Sequence, residues 1–257
     1  MTRAFALRGM VAALLIAITA RVALATEPVR NVVLVHGAIT DGSSWRGVFD
    51  ILTRDGYRVS AVQEPLTGLA DDVAATKRVI EQQEGPVVLV GHSYGGTIIT
   101  VAGADPKVRA LVYVAALQPD VGETTNRLAS SMPGRVPASD VKSTPDGFLY
   151  VDPTRFAADV AADLPPAQAH FMANAQMPVA AAAFDAPVTV AAWRNKPCYA
   201  IIATSDRELN PALARWMYQR SGARVTEINA SHLVYISHPD AVARVIEKAA
   251  LSLKERP

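Results

Sequence analysis

A single cysteine, Cys198, occurs among the 257 residues of this chain. That excludes an intramolecular disulfide and a cysteine-built metal site. Its setting, the apolar run Cys-Tyr-Ala-Ile-Ile-Ala from 198 to 203, suits a small buried hydrophobe. Excess charge is lacking as well. Lys and Arg number 25, Asp and Glu 24, and the formal net charge is +1, so nothing points to nucleic acid or an acidic polymer as partner. The apolar stretch from Met10 to Ala20 is short for a membrane span and is followed by Arg21. There is no internal repeat and no long low-complexity tract. What is present is a chain 50% hydrophobic and 19% charged, able to build a substantial core as one large α/β domain or two small ones.

The amino-terminal segment reads as a leader. Arg3 and Arg8 precede the apolar Met10–Ala20 region, and Ala23-Leu24-Ala25 offers an Ala-x-Ala cleavage site before polar Thr26-Glu27-Pro28. A cleaved signal peptide is expected at 1–25, with an uncleaved anchor as the alternative. No arginine pair marks a twin-arginine signal, and no cysteine follows the apolar region to take a lipid. The expected location is periplasmic or secreted, with no stable membrane span once the leader is gone.

Residues 26–257 alternate between strand and helix patterns. Asn31 to His36 is a continuous apolar run, as a strand buried on both faces requires. Ser43 or Ser44 is placed to cap a helix carrying Trp45, Val48, Phe49 and Leu52. Strands are expected at Tyr57–Val62, Val87–Val90, Val108–Ala115, Cys198–Ala203 and Arg224–Ile228. Helices are expected at Leu69–Gln83, with Val73, Lys77 and Ile80 on one side, after Gly95, from Pro211, and from about Pro239. Such repetition implies a mostly parallel sheet with helices on both faces. Between about 118 and 192 the chain is rich in Ala and Pro, and only Phe148–Val151 looks strand-like. A mostly helical insertion lying over the sheet is expected there.

The chemistry-bearing motif is Gly91-His92-Ser93-Tyr94-Gly95, set between an apolar strand and a helix. A sharp strand-to-helix turn exposes a serine hydroxyl at a helix N-terminus, where developing negative charge is favoured. A serine needs a base within hydrogen-bond reach, and the base needs a third group to hold its tautomer. His232 lies between the last strand and the final helix; His36, His92, His170 and His238 are the other histidines. For the acid, Asp206 follows the strand at 198–203. Glu208 is the local alternative, and Asp120 follows the strand ending near Ala115.

With Val-Leu-Val-His36-Gly37-Ala38, Gly91-His92-Ser93-Tyr94-Gly95-Gly96, Asp206-Arg207 and Ser231-His232 in that order, residues 26–257 resemble the α/β-hydrolase superfamily throughout. Within it the chain looks closest to bacterial relatives of the plant methyl-salicylate esterase and hydroxynitrile lyase group. The resemblance implies a single α/β-hydrolase domain with a helical cap insertion at about 118–192. It also implies a chain order of Ser, acid, then His, each after a strand, which selects Ser93, Asp206 and His232. The oxyanion donors would be the backbone N–H groups of Tyr94 and Ala38. The implied activity is cofactor-free cleavage of a small carboxylic ester, with amide, lactone or thioester as variants. A non-hydrolytic lyase or perhydrolase and a ligand-binding receptor with negligible turnover are the alternatives. Hydroxynitrile lyases of this type carry a lysine right after the catalytic histidine; here that position is Leu233. Phe148, Phe156, Phe171, Met172 and Trp193 are candidates to line a substrate pocket.

Overall fold

The computed structural model describes residues 29–253, so the expected leader lies outside the described residues. In chain order the framework runs β1 (Asn31–Val35), α1 (Arg46–Arg54), β2 (Arg58–Ala61), α2 (Leu69–Glu81), β3 (Val87–His92), α3 (Gly95–Ala102) and β4 (Val108–Val114). An insertion follows, containing α4 (Thr125–Ser131), β5 (Val141–Ser143), β6 (Phe148–Val151), α5 (Phe156–Asp159), α6 (Pro166–Asn174), β7 (Val179–Ala180) and α7 (Ala181–Asp185). The framework resumes with β8 (Cys198–Ala203), α8 (Pro211–Arg220), β9 (Arg224–Ile228), a single turn α9 (Val234–Ser237) and α10 (Pro239–Ser252).

Six strands form one sheet in the order β2-β1-β3-β4-β8-β9, and every pairing in it is parallel. The inner strands carry the continuous apolar runs because helices cover both faces. Two clusters of buried side chains flank the sheet. One joins α2, α3 and α8 through Val73, Ile80, Ile98, Leu213 and Met217. The other joins α1 and α10 through Val48, Leu52, Val242, Val245 and Ile246. The outermost strands β2 and β9 are largely polar and only partly covered, as edge strands can be.

Two expectations are corrected and a third is extended. The cap before α1 is Asp41, whose carboxylate accepts the Ser43 N–H at 2.6 Å and starts a 3₁₀ turn at Gly42–Trp45. Neither Ser43 nor Ser44 plays that part. On α2, Lys77 faces solvent, and the buried residues are Leu69, Asp72, Val73, Ala75, Thr76 and Ile80. The insertion carries the helices α4 to α7 and, beside them, a small antiparallel three-stranded sheet of β5, β6 and β7 where only Phe148–Val151 looked strand-like, with Val141 opposite Val151 and Leu149 opposite Val179. Strands this short show too few alternations to be read from periodicity.

The crossing of β1, β3 and α3 is packed backbone to backbone. A Cβ added at Gly95 would lie 2.5 Å from the His36 carbonyl oxygen and 2.8 Å from that of Val35. Neither neighbour is a flexible side chain that could move aside. Gly95→Ala is therefore expected to lose about 1–3 kcal/mol of stability, as overpacking does. Urea denaturation checks this, and an unchanged midpoint would refute the close packing.

Candidate active site

Ser93 has a φ of 52°, a conformation that costs a non-glycine residue roughly 1–3 kcal/mol and persists only where the surroundings over-determine it. Here they do. The Ser93 carbonyl accepts the N–H groups of Gly96 at 2.9 Å and Leu117 at 3.1 Å, and its own N–H donates to Val114. A Cβ on Gly91 would meet the Gly95 carbonyl oxygen at 2.5 Å, and one on Gly37 would meet the Ser93 Cβ at 2.8 Å. Glycines at these positions let the β1 loop and the head of α3 close on the serine.

His232 sits on the loop after β9, with Nε2 2.9 Å from Ser93 Oγ and Nδ1 2.7 Å from Asp206 Oδ2. Asp206 is held in turn: its Oδ1 accepts the N–H groups of Glu208 at 2.8 Å and Leu209 at 3.0 Å. The ring thus donates from Nδ1 to the carboxylate and presents Nε2 as acceptor to the serine hydroxyl. Burial pulls the His232 pKa down, but the charge and hydrogen bond of Asp206 outweigh it and leave the imidazole above its ordinary value. His92 lies beneath, its Nε2 3.0 Å from the His232 carbonyl, and burial holds it well below the usual histidine range. A neutral His92 donating there braces the loop. The insertion grips the same loop: Asp163 accepts the Ser231 N–H at 3.0 Å and also the Ser231 hydroxyl.

Tyr94 and Ala38 line the same cavity as Ser93, and their backbone N–H groups donate to no backbone acceptor among the described residues. Behind them lie two buried acids that the sequence reading missed. Tyr94 donates its hydroxyl to Asp72 at 2.9 Å, and Asp72 also accepts the Leu66 N–H at 2.8 Å. His36, at the end of β1, pairs through Nε2 with Glu64. Burial pushes the Asp72 carboxyl up to about 6, although its two donors resist the shift. Asp72, Thr76 and Ile80 recur at four-residue spacing on one face of α2, and that was the available signal.

The cavity above Ser93 measures about 210 Å³. The insertion contributes Thr125, Leu149, Tyr150, Val151, Val179 and Phe184 to its wall, and Glu208 and Leu209 close another side. None of the five expected lining residues is among them. Phe156 is fully buried in the core, and Trp193 is buried with its indole N–H on the Pro119 carbonyl at 2.8 Å. Phe171 is 70% exposed. Met172 packs against the core, and Phe148 is half-buried one residue before the part of β6 that reaches the cavity. Composition marks such side chains as apolar but not which way their short elements turn. The alternatives for the acid are occupied otherwise: Asp120 pairs with Arg194, and Glu208 faces the cavity. Cys198 is buried, which pushes its thiol up to about 12. Among the described residues no group of three or more His, Cys, Asp or Glu is placed to hold a metal, and no helix is long and apolar enough to cross a membrane.

A model of the Alpha/beta hydrolase family matches residues 32–245. The chain belongs to that family. This hydrolase is 28% identical over 243 residues to a probable hydrolase, R7, of Phoma sp., covering 85% of the chain and 97% of the relative. It is 28% identical over 150 residues to Methylesterase 2 of Arabidopsis thaliana, covering 51% of the chain and 53% of the relative. The crystal structure of a pyrethroid hydrolase from Sphingobium faniae superposes with a TM-score of 0.73 at 23% identity, over 88% of this hydrolase and 99% of that chain. At that identity the likeness shows the shared fold.

The raised Asp72 pKa has a signed consequence. Between the unfolded value of 3.8 and the folded value of about 6, the native state binds more protons than the unfolded one. The stability contribution of Asp72 therefore falls as pH rises through that window. Relative to Asp72→Asn, the wild type should lose about 2 kcal/mol between pH 4 and pH 7. Paired urea titrations at the two pH values check this; a constant difference would refute the burial of an ionising group.

Proposed function

We propose that this hydrolase cleaves a small carboxylic ester through an acyl-enzyme, with Ser93 as nucleophile, His232 as base and Asp206 as its orienting acid. The observation that carries the reading is the chain of contacts from Asp206 Oδ2 to His232 Nδ1 at 2.7 Å and from His232 Nε2 to Ser93 Oγ at 2.9 Å. His232 takes the hydroxyl proton as Ser93 attacks the carbonyl. Asp206 stabilises the imidazolium that forms. The N–H groups of Tyr94 and Ala38 receive the oxyanion, aided by the head of α3. His232 then returns the proton to the leaving alkoxide, and water repeats the sequence to release the acid. Every step uses groups of this chain.

Ester rather than another acyl substrate is supported by the relative named a methylesterase. Small size is supported by a cavity of about 210 Å³, below the roughly 300–1,000 Å³ of pockets that take drug-sized ligands. Leu233 is fully buried. The position after His232 therefore supplies no ammonium to hold a departing anion, which favours hydrolysis over a cyanohydrin lyase.

Hydrolysis of p-nitrophenyl esters of increasing acyl length is expected to peak at short chains. Ser93→Ala should lower kcat by at least about ten-thousandfold, and Asp206→Asn by a similar factor because the imidazole then adopts the wrong tautomer. Turnover by Ser93→Ala at the wild-type rate would overturn the assignment. Because the base must be neutral and its pKa lies above 6.5, kcat/KM should fall as pH drops, with the acid limb centred above 6.5. A limb centred below that value would contradict the dominance of Asp206 over burial.

A further inference from the structure

Glu208 is an ionisable group in the cavity for which the ester mechanism has no use. Its direction is fixed by its backbone. The N–H is bound to Asp206 Oδ1 at 2.8 Å, and the carbonyl lies so close to Gly134 that a Cβ there would collide with it. Glu208 lines the cavity with Ser93 and His232. Its Oε1 is shut off from solvent and has no hydrogen-bond partner. Of the neighbouring acids, Asp206 holds His232 at 2.7 Å, and Asp159 pairs with Arg207 through Oδ1 at 3.2 Å while its Oδ2, away from the cavity lining, is buried without a hydrogen bond. Among the described residues no Lys or Arg lines the cavity. Glu208 thus brings to the cavity wall a carboxylate whose inner oxygen has no hydrogen-bond partner among the described residues.

We propose that Glu208 determines substrate specificity by accepting a hydrogen bond from a donor carried by the substrate, so that the preferred esters bear a hydroxyl or protonated amine. This builds on the ester reading above for the reaction, but not for the recognition itself. Burial raises the carboxyl to about 6, with Asp206 and Asp159 adding to the rise and His232 opposing it. The anion is therefore present near neutral pH but poorly compensated, and a donor relieves it. A wholly apolar ester of the same shape leaves a buried acceptor unpaired. Sites built that way discriminate strongly against substrates lacking the matching group.

Near-isosteric ester pairs test this. Methyl butanoate against methyl 3-hydroxypropanoate and methyl 3-aminopropanoate probes the acyl side. Propyl butanoate against 2-hydroxyethyl butanoate probes the alcohol side. Kd is measured by NMR titration of Ser93→Ala, which reads binding without turnover, and kcat/KM is measured on wild type. The donor-bearing member of at least one pair should be preferred by about ten- to a hundredfold, the range for a hydrogen bond to a charged group. Adding Glu208→Leu should erase or invert that ratio. Adding Glu208→Gln should keep a hydroxyl preference and lose an ammonium preference. Ratios that are the same with Glu208 and with Leu or Gln in its place, in variants whose circular dichroism shows them folded, would overturn the proposal. Failure of the ester reading looks different: wild type would hydrolyse none of these esters while the Kd ratios still report on Glu208.

Discussion

The positive φ of Ser93 is the constraint on which the rest of the site depends. An L-residue stays there only if its neighbours leave it no other conformation. The surrounding glycines at 37, 91, 95 and 96 supply that condition, because a Cβ there would run into, respectively, Ser93 and His92, the head of α3, the end of β1 and the segment after β4. The parallel sheet adds the second condition. β3 is paired on both sides, with β1 and with β4, so the serine emerges from an interior strand of the sheet. The strain is local and the restraint is global, which is why a reactive hydroxyl can be held upright without a dedicated ligand.

Around that point the polar groups are arranged in layers. Above the sheet, Asp206, His232 and Ser93 form one line of hydrogen bonds. Beneath and behind it, Asp72 holds the Tyr94 side chain and Glu64 holds His36. The two residues held this way flank the N–H groups that face the cavity. Asp72 is tolerated there because the Tyr94 hydroxyl and the Leu66 N–H both donate to it, and hydrogen-bonded buried groups fix geometry. The layer behind thus does for the backbone donors what Asp206 does for the imidazole.

Much of the framework was legible because its signals are strong. β1, β3, β4 and β8 are continuous apolar runs bounded by turn residues, and both Gly-rich turns at the top of the sheet are explicit in the sequence. Ser93, Asp206 and His232 could be singled out because each follows a strand. The losses have separate physical causes. Asp41, Ser43 and Ser44 are all good capping residues within four positions, and only backbone conformation selects among them. The strands of the insertion run two to four residues, too short for a period to show. Asp72 and Glu64 look like surface acids until the fold buries them. The cavity wall is built from residues such as Leu149, Val151 and Phe184, whose apolar character is common to the whole core, so their role emerges only from tertiary placement.

The hold of Asp163 on Ser231 gives the insertion a second allegiance. It shapes the wall of the cavity, and it also anchors the residue directly before His232. The cap is therefore not an interchangeable module. A cap transplanted from another scaffold could reproduce the cavity's shape and still leave the histidine loop without its tether. Within a lineage that keeps this contact, changes in substrate range should accumulate at wall positions facing the cavity, while the part of the insertion bearing Asp163 is inherited with the framework.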